Sequence, residues 1–135
     1  MMADPSRREQ AALRWVQWED AVLSLEPNAK PGLYSNRSQR DVLAFVRICS
    51  HYFANTGWLE DNQLLRRADH LKGIPGVIIH GRLDLSAPLV SAWGLARAWP
   101  EAKFHSVLEG GHQGNPSSRA LMLQAHAAFA RTRPA

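Results

Sequence analysis

Ile74-Pro75-Gly76-Val77-Ile78-Ile79-His80-Gly81-Arg82-Leu83-Asp84 separates two kinds of sequence. Val77-Ile78-Ile79 is a short apolar, β-branched run bounded by Pro75-Gly76 and Gly81, the pattern of a strand buried on both faces. Downstream, a helical pattern from about Leu89 to Ala98 leads through Trp99-Pro100 to a second strand, Lys103 to Val107. A Gly110-Gly111 loop then opens a terminal helix from about Ser117 to Ala130. Strand, helix, strand, helix is the order of a parallel α/β layout. Two parallel strands do not make a stable sheet alone, because parallel sheets need several strands with both faces covered. The sheet expected here is therefore a partial one.

Upstream of Gly73 the period is helical. Asp4-Pro5 reads as an N-cap followed by proline at the first helical position, where a missing N–H costs nothing. The helix is expected to run to about Leu25. Its main apolar stripe is Ala11, Trp15, Trp18, Val22 and Leu25, beside a second one, Ala12, Val16, Glu19 and Leu23, that a carboxylate interrupts. Pro27, Pro31 and Gly32 end it. Ser38, with Asp41 three residues on, marks the start of a second helix through about Phe53, with Val42, Phe45, Cys49 and Phe53 as its buried face. A third, shorter helix is expected from Asn62 to Leu71, closed by Gly73 and Pro75. The chain thus divides into an all-α portion, residues 1–72, and an α/β portion, residues 73–135.

Length and charge narrow the function classes. At 135 residues, the chain matches the commonest size of a single domain, about 100 to 150 residues. Sixteen Lys and Arg against twelve Asp and Glu leave a formal charge of +4. The basic residues are scattered, with adjacent pairs only at Arg7-Arg8 and Arg66-Arg67, and no basic stripe interleaves with aromatics. No nucleic-acid partner is expected. Nor is a membrane one, since no apolar run approaches the roughly 18 to 20 residues that span a bilayer, and charges and two Trp occupy the first twenty positions. A single cysteine, Cys49, excludes an internal disulfide and a multi-thiolate zinc site. A cytoplasmic location is expected. No two histidines have helix-face ligand spacing, so neither metal nor other cofactor is expected.

Two loops carry the chemistry. His80-Gly81-Arg82-Leu83-Asp84 follows the first strand, and Glu109-Gly110-Gly111-His112 follows the second. Both lie at strand C-terminal ends, the edge of an α/β sheet where ligands bind, so an acid and an imidazole can meet there. The expected pair is Asp84 and His112. The carboxylate would accept the Nδ1 proton, fix the tautomer, and stabilise the imidazolium formed when the ring takes a proton from a nucleophile.

From Asp4 to Phe129 these features resemble the C-terminal part of a proline iminopeptidase, a serine peptidase of the α/β-hydrolase fold. The resemblance is carried by Trp15 to Glu19, Arg47-Ile48 with His51-Tyr52-Phe53, Gln63-Leu64-Leu65, Ile74 to Asp84, Pro88, Ser91-Ala92-Trp93, Ala98-Trp99-Pro100 and Gly111-His112. It implies a partial α/β-hydrolase fold: a helical cap segment followed by the last β-α-β-α of the parallel sheet. It makes Asp84 and His112 the acid and base of a catalytic triad, in the chain order of this fold. Glu19 matches the cap carboxylate that binds the free amino group of the substrate, a peptide with a free N-terminus. Cys49 stands where the family offers a second amine-binding carboxylate, and Gln113-Gly114 follow the histidine where a serine and a bulkier residue are usual. No serine lies in a G-x-S-x-G turn: none of the ten has glycine two residues before it. The resemblance therefore implies a C-terminal fragment of a serine aminopeptidase, inactive alone. The alternative is a catalytically inactive binding module or subunit that needs a separately made N-terminal half.

Each of these residues also admits a plainer role. Asp84 could cap a helix or form a turn, and His112 could be a surface loop residue. Glu19 could be a solvated helix residue, and Cys49 fits a small core hydrophobe.

Overall fold

The computed structural model describes residues 4–23, 26–27 and 29–131. They form two compact units: Met1–Ser24 with Lys30–Gln63, and Leu25–Ala29 with Leu64–Ala135.

The first unit is a pair of helices, α1 (Pro5–Leu23) and α2 (Gln39–Ala54), followed by a single 3-10 turn at Thr56–Trp58. Asp4 caps α1, accepting from the Ser6 backbone N–H at 3.0 Å, and Pro5 opens the helix. Ser38 caps α2: its hydroxyl oxygen accepts the Asp41 N–H at 3.2 Å and its hydroxyl donates to the Asp41 carboxylate at 2.7 Å. The core is Ala12, Val16 and Val42, with Tyr34, Leu43, Phe45 and Val46 packed against it. The buried stripe of α1 is thus the one carrying Glu19, since Ala12, Val16 and Leu23 are buried. Trp18 of the expected main stripe is exposed and Trp15 half-buried, while Leu25 lies outside the described residues. The α2 face differs similarly: Val42 is buried, Phe45 and Cys49 are half-buried, and Phe53 is exposed. Two helices can cover only one narrow face of each other, so part of the apolar face of α2 stays exposed. Phe53 instead stacks on Trp15, with ring centroids 5.8 Å apart and planes 9° apart.

Asp20 fastens the connection between these helices. Its carboxylate accepts the Tyr34 N–H at 2.9 Å, the Ser35 N–H at 3.0 Å and the Ser35 hydroxyl at 2.5 Å. Tyr34 stacks on Phe45 and the Arg37 guanidinium lies over both rings.

In the second unit the expected third helix is broken in two, a single turn α3 (Gln63–Arg66) and a 3-10 turn at Ala68–Leu71. Strand β1 (Gly76–Gly81), helix α4 (Leu89–Ala98), strand β2 (Ala102–Val107) and helix α5 (Pro116–Arg131) follow in the order read from the sequence. The strands pair in parallel from Gly76 opposite Ala102 to Gly81 opposite Val107. Helix α4 packs on both strands and α5 on β1. The interior of β1 is half-buried rather than fully covered, because the sheet of the described residues has two strands. No described helix is long and apolar enough to cross a membrane.

Candidate functional site

The parallel register brings the ends of β1 and β2 level, so the loops that leave Gly81 and Val107 start side by side. Backbone bonds then lace them together: Arg82 N–H donates to the Val107 carbonyl at 2.9 Å, Leu83 N–H to the Gly110 carbonyl at 2.9 Å, and Gly110 N–H back to the Val107 carbonyl at 3.1 Å. A β-carbon at Gly81 would stand 2.5 Å from the Gly110 carbonyl oxygen, so only glycine permits this approach.

The lacing places Asp84 beside His112. Asp84 is buried, at 7% exposure, and its two oxygens are divided between two tasks. Oδ1 accepts the Ala87 N–H at 2.7 Å, which turns the loop toward α4. Oδ2 lies 3.1 Å from Nδ1 of His112. Asp84 thus serves as a turn former and as a partner of the imidazole at once. The His112 ring is 41% exposed, so its far edge is open to a reactant. A shallow depression beside it is lined by Ile79, Gln113, Asn115, Ser118, Arg119 and Met122. With Nδ1 protonated toward the carboxylate, Nε2 carries the free lone pair, the state of a general base.

Two further side chains meet this pair that the sequence did not single out. His80, at the end of β1, directs Nε2 to the Ala87 carbonyl at 2.7 Å and stands 3.8 Å from Asp84 Oδ2. Its imidazole braces the same loop at the Ala87 carbonyl. Its position four residues before Asp84 was visible, but not its reach to Ala87. The second is Glu26, only 6% exposed, whose carboxylate accepts the His112 backbone N–H at 2.6 Å and the Gln113 N–H at 3.4 Å. An acid eighty-six residues upstream, next to a helix-breaking proline, carries no local signal of this contact.

Glu19 belongs to the first unit and Asp84 and His112 to the second. Within its own unit it is half-buried, and Trp15 Nε1–H donates to its carboxylate at 3.1 Å. Its charge reaches two neighbours: burial, then Glu19, pushes the Cys49 thiol above its ordinary value, and the same two causes raise the Tyr34 hydroxyl, with Arg37 acting in opposition and Asp20 and Cys49 adding to the rise. Cys49 is therefore a poorly ionised, half-buried thiol on α2. No group of three or more His, Cys, Asp or Glu that could hold a metal ion occurs among the described residues.

No family model matches the sequence. Curated proteins do. The chain is 42% identical over 110 residues to a proline iminopeptidase of Xylella fastidiosa, a match covering 81% of this chain and 35% of that protein. It is 39% identical over 129 residues to a proline iminopeptidase of Xanthomonas citri, covering 94% of this chain and 41% of the relative. With a proline iminopeptidase of Arabidopsis thaliana it shares 39% identity over 106 residues, 78% of this chain and 28% of that one. The chain thus spans between about a quarter and two fifths of the length of these curated relatives.

Proposed function

The chain resembles the proline iminopeptidases, and on that premise we propose that it carries the acid and base of a serine aminopeptidase that releases N-terminal proline from peptides. The observation that carries this reading is the 3.1 Å contact between His112 Nδ1 and buried Asp84 Oδ2. Asp84 holds the Nδ1 proton, so Nε2 is left to take the proton from a serine hydroxyl as its oxygen attacks the scissile carbonyl. His112 returns that proton to the departing amine. Water then enters, His112 removes its proton, and the acyl group leaves as free amino acid while the serine oxygen recovers the proton. The serine and the oxyanion-binding loop are not among these 135 residues, since no serine sits in a G-x-S-x-G turn. The reaction draws on side chains and water, without a cofactor.

Residues 1–72 are assigned in this reading to the helical cap and residues 73–135 to the last β-α-β-α of the hydrolase core. Glu19 grips the substrate's free amino group. Its support is a carboxylate on an otherwise apolar stripe, held at one oxygen by Trp15, beside the Trp15–Phe53 stack. A cytoplasmic setting suits the single cysteine.

A chimera tests the proposal. In the Xanthomonas citri relative, the matching segment is replaced by this chain, and hydrolysis of a chromogenic proline anilide is followed. The expected outcome is activity that His112→Ala reduces by roughly 10⁴-fold. Activity that survives His112→Ala sinks the assignment.

A second reading, an inactive module or subunit that needs a separate N-terminal half, is favoured by the second unit's surface. Leu64, Val90, Leu108 and Leu123 are exposed beside a two-stranded sheet. A chimera that folds and binds a proline anilide without hydrolysing it is the outcome this reading expects.

A further inference from the structure

We propose that Glu26 is a positioning residue for His112, clamping the backbone of the base while Asp84 holds its ring. This inference rests on the assignment of His112 as the base. Glu26 lies outside every stretch that carries the resemblance, so the role is read from this chain's own geometry.

The need for a clamp follows from the loop. Between the last residue of β2, Val107, and His112 stand Gly110 and Gly111, neither with a side chain to pack. Such a segment has more backbone freedom than any other pair of residues would allow. A single bond at Nδ1 fixes how far the imidazole stands from Asp84, but leaves the ring free to swing with the backbone from which it hangs. Glu26 removes that freedom. Its carboxylate takes the N–H of His112 at 2.6 Å and that of Gln113 at 3.4 Å, so two consecutive peptide planes point into one anion. Hydrogen bonds to an ionised acceptor are about twice as strong as neutral ones, and burial at 6% exposure shields them from water.

The packing agrees with a built contact. A β-carbon on Gly111 would overlap the Glu26 carboxyl group, so the glycine just before His112 is the space into which Glu26 fits. The segment that delivers it, Leu25–Ala29, clusters with the second unit although the residues on either side of it in the chain belong to the first. Buried carboxylates therefore hold His112 at two points: Asp84 at Nδ1, Glu26 at the backbone nitrogen.

Long-range proton–nitrogen NMR spectra of the 135-residue chain, with amide exchange, test the clamp. The parent is expected to hold His112 in the Nδ1–H tautomer with a slowly exchanging His112 amide. Glu26→Ala should let both tautomers appear and speed exchange of the His112 amide roughly ten- to a hundredfold. Glu26→Gln keeps the size and one carbonyl acceptor, and should fall between. Retained protection of the Arg82 amide, bonded to the Val107 carbonyl, shows that the unit is folded. If Glu26→Ala loses that protection, Glu26→Gln decides alone. An unchanged tautomer in the folded variants, whether or not the amide exchanges faster, overturns the proposal and leaves Glu26 at most a loop fastening. Asp84→Ala separates the two readings. If it too leaves the Nδ1–H tautomer intact, the pairing behind the proposed function fails; if it scrambles the tautomer and the Glu26 variants do not, only the clamp fails.

Discussion

The two units use carboxylates in contrasting ways, half-buried in the first and buried in the second. Asp20 in the first gathers two backbone N–H groups and a hydroxyl from one neighbouring turn, and this fastens helices around a small apolar core. Asp84 and Glu26 in the second gather groups from sequence-distant loops around one half-exposed imidazole. The first arrangement closes on itself, while the second leaves a ring nitrogen open. Large apolar side chains are exposed in both units, on α1 and α2 as on α4 and α5. A carboxylate that only stabilises needs no open edge, whereas one that supports chemistry must leave its partner accessible.

The contrast breaks most readily at the apolar residues. Val16→Ala removes two methyl groups from the fully buried centre of the first core, and should lower unfolding free energy by about 2 kcal/mol. Val90→Ala on exposed α4 should change it by less than about 0.5 kcal/mol. Urea melts of both variants check the pair. Equal losses would mean that the Val90 side is covered in solution.

How far the sequence led is itself uneven between the units. The β-α-β-α order, the cap at Ser38 and the facing of Asp84 and His112 were legible because each follows from a local rule: period, capping chemistry, or the common edge of parallel strands. The choice between two adjacent stripes on α1 was not, because Trp15 and Trp18 outweigh Ala12 and Val16 in apolar area, yet the small residues let α2 approach. Nor was the broken third helix, whose two pieces are separated at Arg67, where φ −104° and ψ 12° leave the helical run. Glu26 is the extreme case. Its contact joins positions 26 and 112 through a bend whose course no local pattern specifies.

Acid should sharpen the comparison next. Burial pushes the Asp20 carboxyl upward, but the Ser35 hydroxyl, the Tyr34 and Ser35 N–H groups and the Arg37 charge together outweigh it, and the folded carboxyl titrates below its ordinary value of 3.8. A group with a lowered folded pKa binds its proton more readily when unfolded. Its stabilisation is therefore complete above about pH 4, and is withdrawn as the pH falls past 3.8 and through the lower, folded value. Asp20→Asn should cost about 1 kcal/mol at pH 7, since one carbonyl acceptor remains, and should flatten the acid limb of the first unit's stability. Melts recorded between pH 7 and pH 2 by Trp fluorescence check this; an acid limb as steep in Asp20→Asn as in the parent would mean that the clasp does not form.

The smallest expected effect concerns Cys49, and it tests whether Glu19 faces α2. Two causes raise the thiol, burial first and the Glu19 charge second, so at pH 8 little thiolate is available to an alkylating reagent. Glu19→Gln removes the second cause while leaving the first. Iodoacetamide should then modify Cys49 a few-fold faster, with no change in the rate for a short unfolded cysteine peptide. Burial dominates, so a large acceleration would signal opening of the α1–α2 contact rather than loss of one charge, and the Asp20-bound amides of Tyr34 and Ser35 would lose protection with it. An unchanged rate would place the Glu19 carboxylate too far from Cys49 to act on it.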